Sequence, residues 1–435
     1  MKSSFPRPLT HCVQIGAAVI LVTAALLLVT DSAKSKTWSL KVGTGYEFIS
    51  QEYFFDSLVD VGADSLLSNW ALETIYLDDF RARIALDYRP REGAQETLLG
   101  ASFEQSSEFI RARARSLIRS NLGESRLKFD GELESRSRYR GVSEFGENYI
   151  RGYGKIRITS PISNSVSWSS QMTLDGVQFQ DPSSYQYNYT RIGGSLEFER
   201  LFPDFSFATV SASLQARIVP DTSELSYVNT GLELSYYGFY DQGNLDFSAR
   251  LERKNYRQDD DQDDHYRFDL SGHNRTGLGG FWFARQEMDF ELVAFSPEDP
   301  VNFDYTRFGL GASFGLEFGG TTLALGPAIE RLAEEKAELE GNENYWEYGA
   351  VFGFDYIDAG RAFVSTQSDL GLRELGSESE FQSGFIYYRL TTLGDIAIAS
   401  ALSFNLLFSA EWEWHDASEE NSRLYLFTSS LTYTF

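Results

Sequence analysis

The chain has 435 residues, a formal net charge of −25 at pH 7, one Cys, 34 Phe, 24 Tyr and 7 Trp. Such an acidic chain argues against nucleic-acid binding, which requires basic surface against phosphates. After one apolar run near the N-terminus, no second run of 18 apolar residues follows, so bundles of membrane-spanning helices are excluded. No linker rich in Pro, Gly or Ser divides the sequence into domains.

The first predicted element is a secretory signal peptide. A basic region with Lys2 and Arg7 precedes the uncharged apolar run 15–30, and small residues follow it. We therefore predict that residues 1–33 are a signal peptide and that 34–435 form the mature protein. An uncleaved anchor is the alternative, because Asp31 is a poor residue at the third position before the cut. Cys12 precedes the apolar run, so the mature chain is expected to have no thiol chemistry.

Turn signals then recur every 35 to 42 residues, and a more polar segment lies between each pair of turns. The turn signals lie at 121–124, 160–164, 202–204, 241–243, 276–280, 319–320, 358–360 and 393–395. The polar loops lie at 140–147, 179–185, 219–225, 257–265, 296–303, 332–344, 375–380 and 415–421. Each interval holds two segments of about 12 to 16 residues, which favours an up-and-down barrel over a β-propeller with its four shorter strands per blade.

Apolar and charged residues alternate with period two inside the predicted strands, for example in 80–89, 126–140, 285–294 and 304–318. In the last of these, Leu310 and Phe314 share the apolar face and Ser313 the polar face. Counting from residue 38 predicts 20 strands with both termini on the periplasmic side, and 18 strands is the alternative. Segment 55–74 lacks clear alternation and is interpreted as a long external loop, a short helix or an inward-folded constriction.

The closing segment carries the most specific signal. Tyr425, Phe427, Leu431, Tyr433 and Phe435 alternate mainly with Ser and Thr, and the sequence stops on the Phe. This pattern resembles the terminal signal of bacterial outer-membrane β-barrels. The resemblance implies an all-β, transmembrane antiparallel up-and-down β-barrel in the outer membrane, in contact with lipid and lipopolysaccharide. It also implies that the barrel-assembly machinery reads Tyr433 and Phe435, and it implies no cofactor.

Candidate catalytic and metal-binding groups are sparse. The predicted mature chain has three histidines, His265, His273 and His415, and none has the spacing of a metal site or lies in a nucleophile motif, so we expect no enzyme. His273 is predicted to face the lumen. Three acidic residues echo the start of a calcium loop, but the loop lacks the turn glycine and the closing glutamate. These residues are Asp259, Asp261 and Asp263, and a solvated acidic loop is the favoured interpretation.

Basic residues are concentrated in one part of the chain. Residues 76–160 contain 16 Lys and Arg against 13 Asp and Glu, whereas the rest of the mature chain is strongly acidic. Alternation assigns a set of arginines to the lumen, namely Arg81, Arg83, Arg111, Arg113, Arg115, Arg126, Arg136, Arg138 and Arg140. The wall opposite is predicted to carry Glu287, Asp289 and Glu291. Equally, the lumen charges could simply pair across strands and solubilise the interior.

These patterns together predict a porin-like outer-membrane channel that passes polar or anionic solutes through an arginine-lined lumen. An export pore for an anionic polysaccharide is the alternative within transport, because an arginine-lined wall would suit it as well. A structural or adhesion barrel with a closed lumen is the alternative from another class. A receptor with an N-terminal plug is not expected, since no such domain precedes the first predicted strand.

Overall fold

The fold is given by a computed structural model. It describes residues 36–60, 66–90, 96–106, 109–138, 148–180, 182, 187–257, 264–295, 304–334, 344–376, 384–415 and 421–434. The predicted signal peptide, Arg140, the acidic loop with Asp259, Asp261 and Asp263, and Phe435 lie outside these ranges. In the described part of the chain, no helix is long and apolar enough to cross a bilayer.

The described residues form twenty β-strands and one short 3-10 turn, Ser223–Leu225. The first ten strands are β1 Lys36–Asp60, β2 Leu66–Pro90, β3 Glu96–Ser106, β4 Phe109–Leu122, β5 Ser125–Arg138, β6 Tyr149–Ser163, β7 Val166–Phe179, β8 Tyr189–Leu201, β9 Phe207–Ile218 and β10 Tyr227–Tyr240. The remaining ten are β11 Gly243–Tyr256, β12 His265–Gly279, β13 Trp282–Phe295, β14 Tyr305–Phe318, β15 Thr321–Glu334, β16 Tyr345–Asp358, β17 Ala362–Leu375, β18 Phe385–Ala399, β19 Leu402–His415 and β20 Ser422–Thr434.

The sheet closes on itself. Each strand pairs antiparallel with its neighbours in chain order, and β1 pairs with β20 from Lys41–Thr434 to Glu52–Arg423. Closure leaves no unpaired edge along this seam, which a membrane-spanning sheet requires because lipid offers no hydrogen bonds. The prediction of an all-β up-and-down barrel of 20 strands is confirmed, and the 18-strand alternative is wrong.

From β4 to β20, one end of the barrel carries short turns and the other carries longer connections, and we call the second end the loop end. Gly319 and Gly320 form one of the short turns, with φ of 56° and 81°, a backbone region that other residues rarely adopt. Seven of the eight predicted turns coincide with such connections. The turn at 393–395 is wrong, because β18 runs through it to Ala399 and the chain reverses at 400–401.

The first hairpin differs from the others in length. β1 and β2 each have 25 residues, and their pairing extends to Asp60–Leu66. Pairing of β1 with β20 ends at Glu52, so the hairpin continues beyond the rest of the wall. The predictions of a loop or a helix over 55–74 are therefore wrong, since its described residues are paired strand. In this part of the hairpin, β1 and β2 pair only with each other among the described strands. The missing alternation in 55–74 fits strands that do not form part of the closed wall.

The outer face of the barrel is apolar. Phe80, Ile84, Leu310 and Phe314 are all exposed on it, as the alternation predicted. Aromatic side chains gather on this face near the loop end, where Trp412 stacks on Tyr388 at 5.3 Å between ring centroids and its Nε1 donates to Tyr425 Oη at 2.8 Å. An apolar outer band bordered by such aromatic residues is characteristic of barrels that cross the outer membrane.

Candidate functional site

Ion pairs identify the inner face of the barrel. Four of them reach over an intervening strand. They join Arg115 of β4 to Asp87 of β2 at 2.7 Å, Arg157 of β6 to Glu197 of β8 at 2.6 Å, Arg389 of β18 to Glu347 of β16 at 3.2 Å, and Arg275 of β12 to Glu317 of β14. Side chains converge on the concave side of a closed sheet and diverge on the convex side, so these contacts mark the charged face as the inner one.

The strand register places eight of the nine predicted arginines on this inner face. Directly opposed residues share a face, and Arg111 opposes Glu104 and Arg136, while Arg113 opposes Glu134. The same reasoning holds for the others on β2, β4 and β5. We call this set the basic wall: Arg81, Arg83, Arg111, Arg113, Arg115, Arg126, Arg136 and Arg138.

The basic wall is organised around Phe109, which is only 2 % exposed. The guanidinium carbons of Arg81, Arg111 and Arg136 lie 5.4, 5.0 and 4.3 Å from the centre of its ring. The face of an aromatic ring attracts cations, so Phe109 holds three like charges together. Its backbone N–H donates to Ser106 Oγ at 3.0 Å, which fixes the start of β4. The arginine prediction did not include Phe109.

Carboxylates are interleaved with these arginines. Arg113 Nε donates to Glu134 at 2.8 Å and lies 3.2 Å from Glu132. Arg115 pairs with Asp87, which is almost fully buried, and Arg81 pairs with both Glu47 and Asp79. The alternative in which lumen charges pair across strands therefore describes much of the wall. The pairs also fix the guanidiniums in place, because a two-sided contact restricts their rotation.

Two members of the basic wall differ from the rest. Arg83 and Arg126 are exposed, and neither makes an ion pair with any described residue. Arg83 opposes Gly43 on β1 and Glu104 on β3, and Arg126 opposes Asn121 and Thr159. Their charge is therefore less compensated by close partners than that of Arg113 or Arg115.

The predicted acidic residues stand on β13, halfway round the ring from β3. We call Glu287, Asp289 and Glu291 the acidic wall, and all three are on the inner face with His273, which opposes Glu287. Glu291 accepts a hydrogen bond from Tyr305 Oη at 2.9 Å and pairs with Arg267 at 3.1 Å. Asp289 is exposed and makes no ion pair with a described residue.

A repeated arrangement follows the inner face at the loop end. A tyrosine hydroxyl donates to a carboxylate on the preceding strand, and an arginine pairs with the same carboxylate. We call these groups the loop-end belt: Tyr149, Glu134 and Arg113; Tyr189, Asp175 and Arg191; Tyr305, Glu291 and Arg267; Tyr345, Glu330 and Arg307. Each carboxylate thus has two donors, which keeps the mouth of the barrel rigid and its charges paired.

The sequence carries a signal for this belt that the prediction missed. An Asn or Asp precedes the aromatic residue, and a charged residue lies two positions after it, at 148–151, 188–191, 264–267, 304–307 and 344–347. The Asn or Asp oxygen accepts the backbone N–H at or near the end of the preceding strand, as Asn344 does from Glu334 at 2.6 Å and Asp304 from Phe295 at 2.7 Å. The repeat of about 40 residues therefore closes each loop as well as building the belt.

The terminal strand is placed as predicted where the structure describes it. Tyr433 points outward and is 43 % exposed, two residues before Phe435, which lies outside the described ranges. Within those ranges, no group of three His, Cys, Asp or Glu side chains could hold a metal ion.

Comparison with solved structures gives neighbours with the same kind of barrel. The siderophore receptor PirA from Pseudomonas aeruginosa has a TM-score of 0.52 at 10 % identity, over 91 % of this chain and 80 % of that one. PirA from Acinetobacter baumannii gives 0.52 at 7 % identity with the same coverage. A BenF-like porin from Pseudomonas fluorescens Pf-5 gives 0.44 at 11 % identity, over 93 % of this chain and 100 % of that one.

At these identities the two receptors show a shared fold alone, and the porin's score is too low to support an argument. No protein-family model matches the chain. No curated protein sequence matches it significantly. The closed 20-strand barrel with its apolar outer band and charged interior defines the chain as a bacterial outer-membrane β-barrel. Its location is the outer membrane.

Proposed function

We propose that the protein is a porin-like channel that passes small polar or anionic solutes along the basic wall. The observation that carries the proposal is the concentration of arginines on the inner face of β2, β4 and β5, opposite the acidic wall of β13. Barrels of 16 to 18 strands already leave an aqueous channel, and this one has 20.

The arginines suit this role chemically. A guanidinium stays charged at any working pH and binds carboxylate, sulfate or phosphate in two-pronged fashion. Those held by Asp87 and Glu134 are fixed in position, whereas Arg83 and Arg126 have no ion partner among the described residues. These two arginines are the part of the wall that would act most directly on a passing anion.

We further propose that residues 1–33 are a cleaved signal peptide and that the barrel-assembly machinery reads the end of β20. The apolar outer face would then contact lipid and lipopolysaccharide. Deleting Phe435 should lower the yield of outer-membrane protein and leave periplasmic fragments. Normal assembly of the shortened chain would contradict the role of the terminal residue.

Conductance and selectivity in a planar bilayer test the channel. Wild-type protein should form stable open channels with a preference for chloride over potassium. Arg83→Gln combined with Arg126→Gln should lower this preference without breaking an ion pair between described residues. The change should shrink in 1 M salt, where the Debye length is about 3 Å. Arg361→Gln, in a short turn outside the strands, is the matched control.

The outcomes separate the parts of the proposal. A correctly folded barrel that never conducts would contradict the channel and favour the structural role. An open channel whose selectivity is the same in the double variant and in wild type would contradict the role of the basic wall. Passage of polymeric but not small anions would favour the polysaccharide export pore.

A further inference from the structure

A separate recess lies in the inner wall between β17, β18 and β19, away from the basic wall. Its volume is about 300 Å³, at the lower end of the range for small-molecule sites. Its lining is mainly polar, with Leu393 and Ala410 beside seven polar residues: Ser365, Gln367, Asp369, Arg389, Thr391, Ser409 and Glu411. The seven polar side chains are on the inner face by register, so the recess opens to the lumen and not to lipid.

Toward the loop end from the recess lies Tyr387 of β18, which is 4 % exposed and contacts Arg389 of the lining. Its side chain leans over β17 and β16, where Gly371 and Gly349 make room for it. A Cβ added at Gly371 would clash with the Tyr387 hydroxyl, and one at Gly349 would lie 2.8 Å from it. The ring centre also lies 4.3 Å from the Arg389 guanidinium carbon. Any larger residue at these glycines would displace the tyrosine.

Arg389 is fixed by neighbouring carboxylates. Its Nε donates to Glu411 at 2.6 Å and its Nη1 to Glu347 at 3.2 Å. Asp369 opposes Arg389 in the strand register, yet it forms no ion pair with a described residue. Asp369 accepts hydrogen bonds from the side-chain amide of Gln367, at 3.3 Å to each carboxylate oxygen. Asp369 therefore has acceptor capacity left for another donor.

Hydroxyl groups supply the rest of the polar lining. Thr391 and Ser409 lie 3.3 Å apart and share a hydrogen bond, and Ser365 donates to Asp355 at 2.6 Å. A hydroxyl both donates and accepts, and rotates to suit its partner. The recess thus combines adaptable hydroxyls, one amide, the Arg389–Glu411 ion pair and the carboxylate of Asp369, which has no ion partner among the described residues.

We propose that this recess binds a small polyhydroxylated solute of monosaccharide size, and that it prefers an amino group to a carboxylate on that solute. Hydroxyls on the solute would bond Thr391, Ser409 and Gln367. An ammonium group would bond Asp369, whereas a carboxylate would meet its negative charge. This ligand class differs from the anions of the basic wall, and binding at the recess does not require an open path through the barrel.

Calorimetry on the full-length barrel in detergent tests the site, with glucosamine, glucose and galacturonate as probes at a pH where the amine is protonated. Affinity should fall in that order. Asp369→Asn should remove the preference for glucosamine over glucose, a change of about tenfold for one charge-assisted hydrogen bond. Asp246→Asn removes an inner-face carboxylate on β11 and should leave the three affinities unchanged.

Thr391→Leu fills the recess and should abolish binding of all three probes, which keeps the test valid if Asp369→Asn fails to fold. Folding of each variant is checked by the mobility difference between unheated and boiled samples. Absence of sugar binding to the folded wild-type barrel would overturn the proposal, as would an unchanged glucosamine preference in Asp369→Asn. Neither result depends on conductance, so failure here and failure of the channel are distinguishable.

Discussion

The basic wall and the loop-end belt use the same residue types in different proportions. In the belt, each carboxylate is shared by one tyrosine and at least one arginine, as at Glu330 with Tyr345 and Arg307. In the basic wall, arginines crowd one phenyl ring, and Arg83 and Arg126 have no ion partner among the described residues. The comparison shows that pairing, and not the number of arginines, decides where an inner surface keeps a net charge.

The largest expected effect comes from removing the ring that organises the basic wall. Phe109→Ala deletes a buried side chain, which costs roughly 3–5 kcal/mol of unfolding free energy, and it also separates three guanidiniums from their shared contact. Phe295→Ala, at a half-buried ring that faces His265 at 5.3 Å, is the matched change on the acidic side and should cost less. Denaturant titration in lipid vesicles gives both values, and equal losses would contradict the special role of Phe109.

A charge placed on each face tests the assignment of inner and outer sides. Leu310→Arg puts a guanidinium into lipid near the middle of β14 and should cost roughly 2–4 kcal/mol. Ser313→Arg places the same group inside, beside Arg285 but in water, where screening keeps the repulsion small. Denaturant titration in lipid vesicles gives the unfolding free energy of both variants. Similar losses for Leu310→Arg and Ser313→Arg would mean that the register assigned to β14 is wrong.

Glu134 pairs with arginines of the basic wall and also belongs to the loop-end belt, whereas Glu330 belongs to the belt alone. Neutralising Glu134 should therefore lower the unfolding free energy more than neutralising Glu330. Glu134 contacts Arg111, Arg113 and Tyr149. Glu134→Gln removes one charged partner from each of the two arginines, which still contact Glu104 and Glu132, and it should cost about 1–3 kcal/mol. Glu330 contacts Arg307 and Tyr345, and Glu330→Gln should cost less. Denaturant titration gives the unfolding free energy of both variants, and the difference between their losses should become smaller in high salt. A larger loss for Glu330→Gln than for Glu134→Gln would argue against crowding of charge around Phe109.

Much of the fold follows from period-two alternation, because a strand has only two faces. That pattern alone placed Leu310 and Phe314 outside, Ser313 inside and the arginines of β4 on one face. The turn predicted at 393–395 was wrong because Gly394 and Asp395 are strong turn residues, whereas the observed turn contains Ser400 and Ala401, which give a weaker signal.

The site itself was less predictable. Alternation gives the face of Arg115 but not its partner, since contact with Asp87 across β3 depends on the stagger of three strands. The gathering of Arg81, Arg111 and Arg136 around Phe109 depends on the same stagger. The loop-end belt did have a local signal, the Asn or Asp before each aromatic residue. Its period coincides with that of the loops, so the repeat alone does not separate the belt from loop closure.

The central claim is that two inner walls of opposite sign face each other across one lumen. Reversal potentials across a salt gradient, measured for Arg83→Gln and Asp289→Asn in otherwise identical channels, test it most directly. Both residues are exposed on the inner face without an ion partner among the described residues, so each substitution removes one charge and no ion pair. Arg83→Gln should shift selectivity toward cations and Asp289→Asn toward anions. Shifts in the same direction, or none in either variant, would contradict the account.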